Sequence, residues 1–477
     1  MPILLAATYL SIFALVFGCR PGAPGGVSPS NPELSLGVVP ATEIESYPLG
    51  DEGCQETPET LDLLESVSLE FWQDGSIGPR SINLQELRIK STPLSSNLVG
   101  AVKFDAVFRR TCDAGQAAPP VCTPLDSSAA GWKPLQQGRT LKACHPRMSP
   151  IRNNIEHLGL AAIATIEKSG QKIKNSLPAG THLPPVQVLV APRFETHWTP
   201  WTQNGRPSVY QSILADNMAY FPPTSTTPPF VALLPKRKSQ GSSNSDSVNL
   251  WESQFVIAHE YAHHVEHSLG KAHFSDKQSQ LRLAVSEGFA DVLAFSGLGA
   301  SSSSLKGMPC IGKDRAPDSL EFSTGIPKII TPALMARFGD KSNAESTPLT
   351  ESEKSICQGV PPHSAHGIGA ILSHWIVELA SYTPNYETAR EDTLNQVSID
   401  WLTHVEASIG AGDFSSDSGD SATRKKELTL ILQALEKSIR AQFGKHNEHI
   451  SDNLRQLLRQ KMEFAFPALE QHEWFKD

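Results

Sequence analysis

The chain has 477 residues, 39% of them hydrophobic, which is enough for two or three domains with a sizeable core and too apolar for a disordered chain. Its 41 Lys plus Arg against 50 Asp plus Glu give a formal charge of -9. No basic block interrupts that balance, which excludes a protein built to track the phosphates of a nucleic acid.

In chain order, the first element is an almost uncharged apolar run over residues 3–17. It is shorter than the roughly 20 residues that span a bilayer and fits the hydrophobic part of a signal peptide over residues 1–18. The run closes on VFGC, which resembles the lipobox of bacterial lipoproteins. The resemblance implies lipidation of Cys19 and an exported protein anchored to a membrane, on the periplasmic face or the cell surface. Two features depart from the pattern: no Lys or Arg precedes the run, and Phe17 is bulkier than the usual small residue. An ordinary cleaved signal is the alternative. Removing Cys19 from the seven cysteines leaves six, an even number suited to disulfides in an oxidising compartment. Cys112 with Cys122, and Cys310 with Cys357, are the pairings expected.

Residues 19–51 are rich in Gly, Pro and Ser, lack periodicity, and read as a flexible tether. Residues 52–150 carry short alternating runs such as VSLEFW and VKFDAVF, broken by Pro, Gly and cysteines. They are expected as a small β-rich region, either a removable pro-segment, a binding module or part of the main domain. From residue 151 the pattern changes. Residues 151–169 have helical spacing, VQVLV at 186–190 is a strand, and 216–221 and 230–234 are two more. Beyond Lys236 the chain is mostly helical.

A Ser-rich linker leads into HEYAHHVEH at 259–267, with four histidines and two glutamates. The spacing predicts a helix opened by a capping box at Asn249 and Glu252 and closed at Gly270. His259 and His263, four apart, then lie one above the other and can share a metal ion, while Glu260 reaches a water on that ion rather than the ion itself. This is the HExxH arrangement, with glutamate as general base.

A third ligand decides what such a pair is for. A metzincin would need Gly at 266 and His at 269, where this chain has Glu266 and Leu269. A glutamate on a following helix is available in SEGFAD, where Glu287 and Asp291 stand four apart on one face. Glu287 can complete a two-His, one-Glu set, and Asp291 can accept a hydrogen bond from the back of a ligand imidazole. Asp276 and Gly297 are placed to cap and close that helix.

FVIAHEYAHHVEHSLG and SEGFADVLAF resemble the two zinc-site helices of thermolysin-like and fungalysin-like metallopeptidases, the gluzincin group, and the EGFAD run is closest to the fungalysin form. The resemblance covers roughly residue 186 onward. It implies one catalytic Zn2+ held by His259, His263 and Glu287, with Glu260 as base, and a two-lobed α+β peptidase over residues 151–477. A β-containing lobe would precede a mainly helical one. VPPHSAHGIGA at 360–370 resembles the segment that carries the oxyanion-binding histidine of these enzymes; the alignment implies His363, with His366 the alternative. Residues 216–221 resemble the edge strand that binds substrate backbone, with Asn217 as its polar contact.

One departure stands out. The tyrosine that thermolysin-like enzymes carry between the zinc helices is missing, since no tyrosine occurs between His263 and Glu287. Tyr220 and Tyr210 are the candidates to replace it. The remaining polar residues of the motif are expected outside the metal set: His264 and His267 exposed or supporting, Glu266 solvated. His374 and Trp375 are expected as ordinary residues of their helix.

The C-terminal region from about residue 422 is predicted to be helical. The acidic run before it is expected as a surface loop; calcium is compatible with its oxygens, but no motif supports it. The sequence therefore reads as a monomeric, lipid-anchored zinc endopeptidase acting on protein or peptide substrates. Two rivals stand beside it: a peptidase-fold binding or assembly lipoprotein without activity, and a zinc hydrolase of cell-wall peptides.

Overall fold

The computed structural model describes residues 38–40, 66–73, 76–83, 85–91, 93–113, 121–122, 132–142, 155–203, 206–214, 218–225, 227–235, 253–270, 280–299, 330–331, 334–335, 365–410, 421–469 and 474–475. They form an α+β protein with one mixed sheet, two small two-stranded sheets and seven helices among the described residues. The chain divides into two compact units, residues 1–168 with 184–264, and residues 169–183 with 265–477.

The first unit is organised on strand β6 (Val99–Asp113). Val102, Phe104, Ala106 and Phe108 are buried while the residues between them are more exposed, the alternation of a strand with one face on a core. Strand β8 (Lys133–Thr140) runs antiparallel to residues 103–109 of β6. Strand β9 (Val186–Val190) runs parallel to residues 99–104, and β10 (Arg193–Gln203) parallel to 107–113. Residues 103 and 104 pair with both β8 and β9, and 107–109 with both β8 and β10. It follows that β9 and β10 share the edge of β6 opposite β8, one after the other. Asp105 and Ala191 have positive φ, 57° and 48°, so both strands change direction at the same level. Gly138 of β8 stands beside this bend with φ 80°, where a Cβ would meet the Phe104 carbonyl at 2.7 Å.

Strand β13 (Phe230–Leu233) lies parallel beside β9, and the antiparallel β12 (Met218–Phe221) ends that side of the sheet. Beyond β10 come β11 (Arg206–Leu214) and β1 (Val38–Pro40), and β7 (Val121–Cys122) pairs with the end of β6. One face carries an aromatic stack. Phe108 and Phe194 lie 4.6 Å apart, Phe194 and Phe221 4.8 Å, and Phe221 and Phe230 4.7 Å, all near-parallel. Trp132 meets the stack edge-on at Phe194.

The strands expected at 186–190, 216–221 and 230–234 are β9, β12 and β13. Two further stretches carry strands of this sheet. β1 falls inside the stretch expected as a flexible tether, because a three-residue edge strand is held by backbone pairing and needs no hydrophobic pattern. β6 to β8 precede residue 150 and β9 to β13 follow it, so the region expected at 52–150 supplies strands to the same sheet as the chain after it. Two small hairpins complete that region, β2 (Ser66–Gln73) with β3 (Ser76–Asn83) and β4 (Lys90–Ser91) with β5 (Leu94–Ser95).

Helix α1 (Ile155–Asn175) starts in this unit, where the absence of a side chain at Gly159 leaves room for Leu141 and Val102. Its Glu167 accepts the Leu98 N–H at 2.7 Å in a buried position, supplying the partner that the start of β6 needs. Helix α2 (Gln254–Ser268) carries the histidine-rich motif. The described part of the second unit is helical: α3 (Gln280–Gly297), α4 (Ala365–Ala380), α5 (Arg390–Gly410), α6 (Ser421–Lys445) and α7 (Asp452–Ala465). Trp401 of α5 donates to the Ile431 carbonyl of α6 at 3.0 Å, which satisfies the one polar atom of a fully buried indole. No helix of the described residues is long and apolar enough to cross a membrane.

Candidate metal centre

Helix α2 starts one turn later than its capping box implies. Asn249 and Glu252 lie outside the described residues, and Ser253 caps the helix by accepting the Val256 N–H at 3.2 Å. Gly270, with φ 67°, ends it as expected. Phe255, Val256, Ile257, Ala258, Tyr261, Ala262 and Val265 are all fully buried, so the helix has no solvated face to hold its polar residues. His259, Glu260, His263, His264 and Glu266 are buried with them, and buried polar groups must be paired.

His259 and His263 turn their Nε2 atoms toward each other at 3.2 Å, with rings perpendicular. Glu287 of α3 joins them, and the three ligand atoms all lie within 4.8 Å of one another in a buried cluster. This group can bind a metal ion. Two nitrogens bound at the roughly 2.0–2.1 Å of a tetrahedral zinc site stand about 3.3 Å apart, close to the separation here, and two imidazoles with one carboxylate are a donor set that suits a first-row divalent ion.

Glu260, next to His259, places Oε2 2.8 Å from the backbone N–H of Tyr220 on β12. Among the described residues β12 pairs with β13, and Tyr220 stands opposite Val231. An N–H donated to Glu260 is not available to Val231, so these two form the non-hydrogen-bonded type of antiparallel pair and the Tyr220 backbone groups point away from β13. Asn217 lies outside the described residues, as does His363. His366, the alternative to His363, is on the first turn of α4 with Nε2 3.3 Å from Glu287 Oε2.

α3 and α4 meet at glycines. A Cβ on Gly369 would stand 2.6 Å from the Glu287 Cβ, and one on Gly288 would stand 2.9 Å from the Gly369 carbonyl oxygen. This close approach brings His366, one turn before Gly369, to Glu287. Asp291 is fully buried one turn beyond Glu287. Gly297 is the last residue of α3, where it was expected to close the helix.

One expectation is overturned. Glu266 is not solvated: it is fully buried, accepts from Arg282 at 2.8 Å and from the Ser286 hydroxyl, and Arg282 also pairs with Glu406 of α5. The guanidinium and the hydroxyl supply the partners that a buried carboxylate needs. His264, expected as exposed or supporting, is 1% accessible, with Nε2 2.8 Å from the Pro184 carbonyl and Nδ1 3.3 Å from the Tyr220 hydroxyl. Tyr220, one of the two candidates to replace the missing tyrosine, thus has its hydroxyl beside His264, and the side chain of Tyr210 lies outside the described residues. His267 is partly buried, and burial lowers its pKa against the opposing charge of Glu266. His374 packs edge-on against its neighbour Trp375.

No protein-family model, no characterised protein and no solved structure matches the chain. What the site can do is argued from its own geometry. Sequence reasoning found the three clustered residues and the candidate base. It missed Arg282, Gly288, Gly369 and the Tyr220 N–H, of which only the two glycines left a trace, inside the motifs EGFAD and HGIGA.

Proposed function

We propose that the protein is a zinc-dependent endopeptidase of gluzincin type, two-lobed in architecture, and that Cys19 anchors it to a membrane after export. The supporting observation is the convergence of His259, His263 and Glu287 on one point, with Glu260 one residue from a ligand and oriented by the Tyr220 N–H. Bound zinc would supply a Lewis acid for the substrate carbonyl and make a water acidic at neutral pH. Glu260 takes the proton of the attacking water and delivers it to the leaving amine, for which a carboxylate fixed by one hydrogen bond is pre-organised. Asp291 holds a ligand imidazole in the tautomer the metal needs. His366 faces the site from α4 and is the donor available to a developing oxyanion, with His363 as the other candidate.

The test is a quenched-peptide or casein assay of the mature protein together with its metal content. One zinc per chain, cleavage abolished by a chelator and restored by zinc, and a loss of about 10²–10⁴-fold in kcat for Glu260→Gln with zinc retained are the expected results. Zinc retained without cleavage by the unaltered protein, on protein and cell-wall peptides alike, would instead support an inactive binding protein. The placement of the Tyr220 hydroxyl beside His264 is the observation that favours that second reading, since it gives one candidate for oxyanion stabilisation another partner.

A further inference from the structure

His264 stands one residue from a proposed ligand, is buried, and is not part of the metal cluster. Its partners fix its chemistry. The Pro184 carbonyl oxygen can only accept, so the His264 nitrogen 2.8 Å away, Nε2, must be the one that carries hydrogen. In a neutral imidazole Nδ1 is then the acceptor, and the Tyr220 hydroxyl, 3.3 Å away, is placed to donate to it. With His264 neutral, the chain runs from Tyr220 O–H to His264 Nδ1 and from His264 Nε2–H to Pro184.

Tyr220 is also the residue whose backbone N–H bonds Glu260 at 2.8 Å. Its strand is four residues long and ends the sheet among the described residues, and side-chain anchors add to what its ladder with β13 supplies. Glu260 and His264 lie four apart on α2 and therefore on one face. The helix grips the same residue of the edge strand twice, once by its backbone and once by its side chain.

We propose that His264 is a positioning residue which, by accepting the Tyr220 hydroxyl while donating to Pro184, locks the edge strand so that the Tyr220 N–H fixes the orientation of the Glu260 carboxylate. This rests on the reading of Glu260 as the base, and its test carries one arm that does not need activity.

The variants are Tyr220→Phe, which removes only the hydroxyl, His264→Leu, and the two combined. His264→Asn is the conservative change that retains an acceptor near Nδ1. In the first arm, the Tyr220 amide signal is followed by NMR in the intact protein. It is expected at low field, to move upfield in Glu260→Ala, and to move in the same direction in Tyr220→Phe (read at the Phe amide) and His264→Leu. An amide that responds to Glu260→Ala but not to the other two overturns the proposal whether or not the protein is a peptidase. In the second arm, each single variant is expected to lower kcat about 10-fold with KM and zinc content unchanged. The double variant is expected to cost no more than the larger single one, because both break one link, and His264→Asn to recover most of the loss. Additive losses, or a loss that follows the zinc content, would overturn it. Absence of cleavage by the unaltered protein counts against the peptidase reading and leaves the first arm to decide.

Discussion

His267 differs from the other three histidines of its helix in keeping partial contact with solvent, and burial already holds its pKa below the ordinary value. It is one turn beyond His263 and absent from the cluster that His263 forms with His259 and Glu287. The assignment of ligands can therefore be checked one residue at a time. His259→Gln, His263→Gln and Glu287→Gln are each expected to lower zinc affinity by more than the 10–100-fold typical of a residue that only supports a ligand. His267→Gln is expected to leave it unchanged, as read by competition with a chromophoric chelator. Loss of zinc on His267→Gln would mean that the helix presents a different pair. Spacing made His259 and His263 legible, because four residues on a helix is a geometric statement, and Glu287 was reached through the gluzincin pattern of a glutamate on a following helix. Spacing could not separate His264 from His267 or place Glu266 in the interior, because which face of a helix meets protein is decided by neighbours distant in sequence.

At the scale of elements, the position of Glu287 depends on two contacts made by its own helix. Arg282, one turn before Ser286, joins Glu266 of α2 to Glu406 of α5 through a buried guanidinium, and Ser286 adds its hydroxyl to the same carboxylate. On the other side, Gly369 admits the β-carbon of Glu287 where any side chain would collide with it. Gly369→Ala is expected to force α4 away from α3. The cost is about 1–3 kcal/mol, the range for an extra methyl in a packed interior, and zinc affinity should fall with it because the displaced atom is the Cβ of a ligand. Denaturant midpoint and zinc titration on the same preparation check both effects; a change in neither would mean that the helices accommodate the methyl by side-chain movement alone. The glycines of EGFAD and HGIGA were visible in the sequence as parts of motifs. Their pairing was not, since a contact between helices some eighty residues apart in the chain leaves no periodic mark.

For the whole molecule, the question is which parts the metal centre needs in order to form. Helices and local strands were legible from periodicity, so β9, β12 and β13 and the course of α2 and α3 could be anticipated, whereas the parallel pairing of β6 with β9 and β10 is non-local and could not. Yet β6 decides whether the region before residue 150 is dispensable. It occupies the edge of β9 and β10 opposite their partners β13 and β11, and its Phe108, with Trp132 just before β8, completes the aromatic stack that also contains Phe194, Phe221 and Phe230. A chain beginning at residue 151 would expose two strand edges and lose both aromatic side chains, each worth about 3–5 kcal/mol in a packed core. Set against a net stability of roughly 5–15 kcal/mol, that loss is enough to unfold the unit that carries His259, Glu260 and His263. The expected outcome is no cooperative thermal transition and no zinc bound for a chain beginning at residue 151. A chain beginning at residue 30, which keeps β1 and β6, should melt and bind zinc as the longer protein does. Cooperative melting of the shorter chain would make the region separable from the scaffold; its failure to fold would mean that these strands are part of the scaffold on which β12 and the base are held.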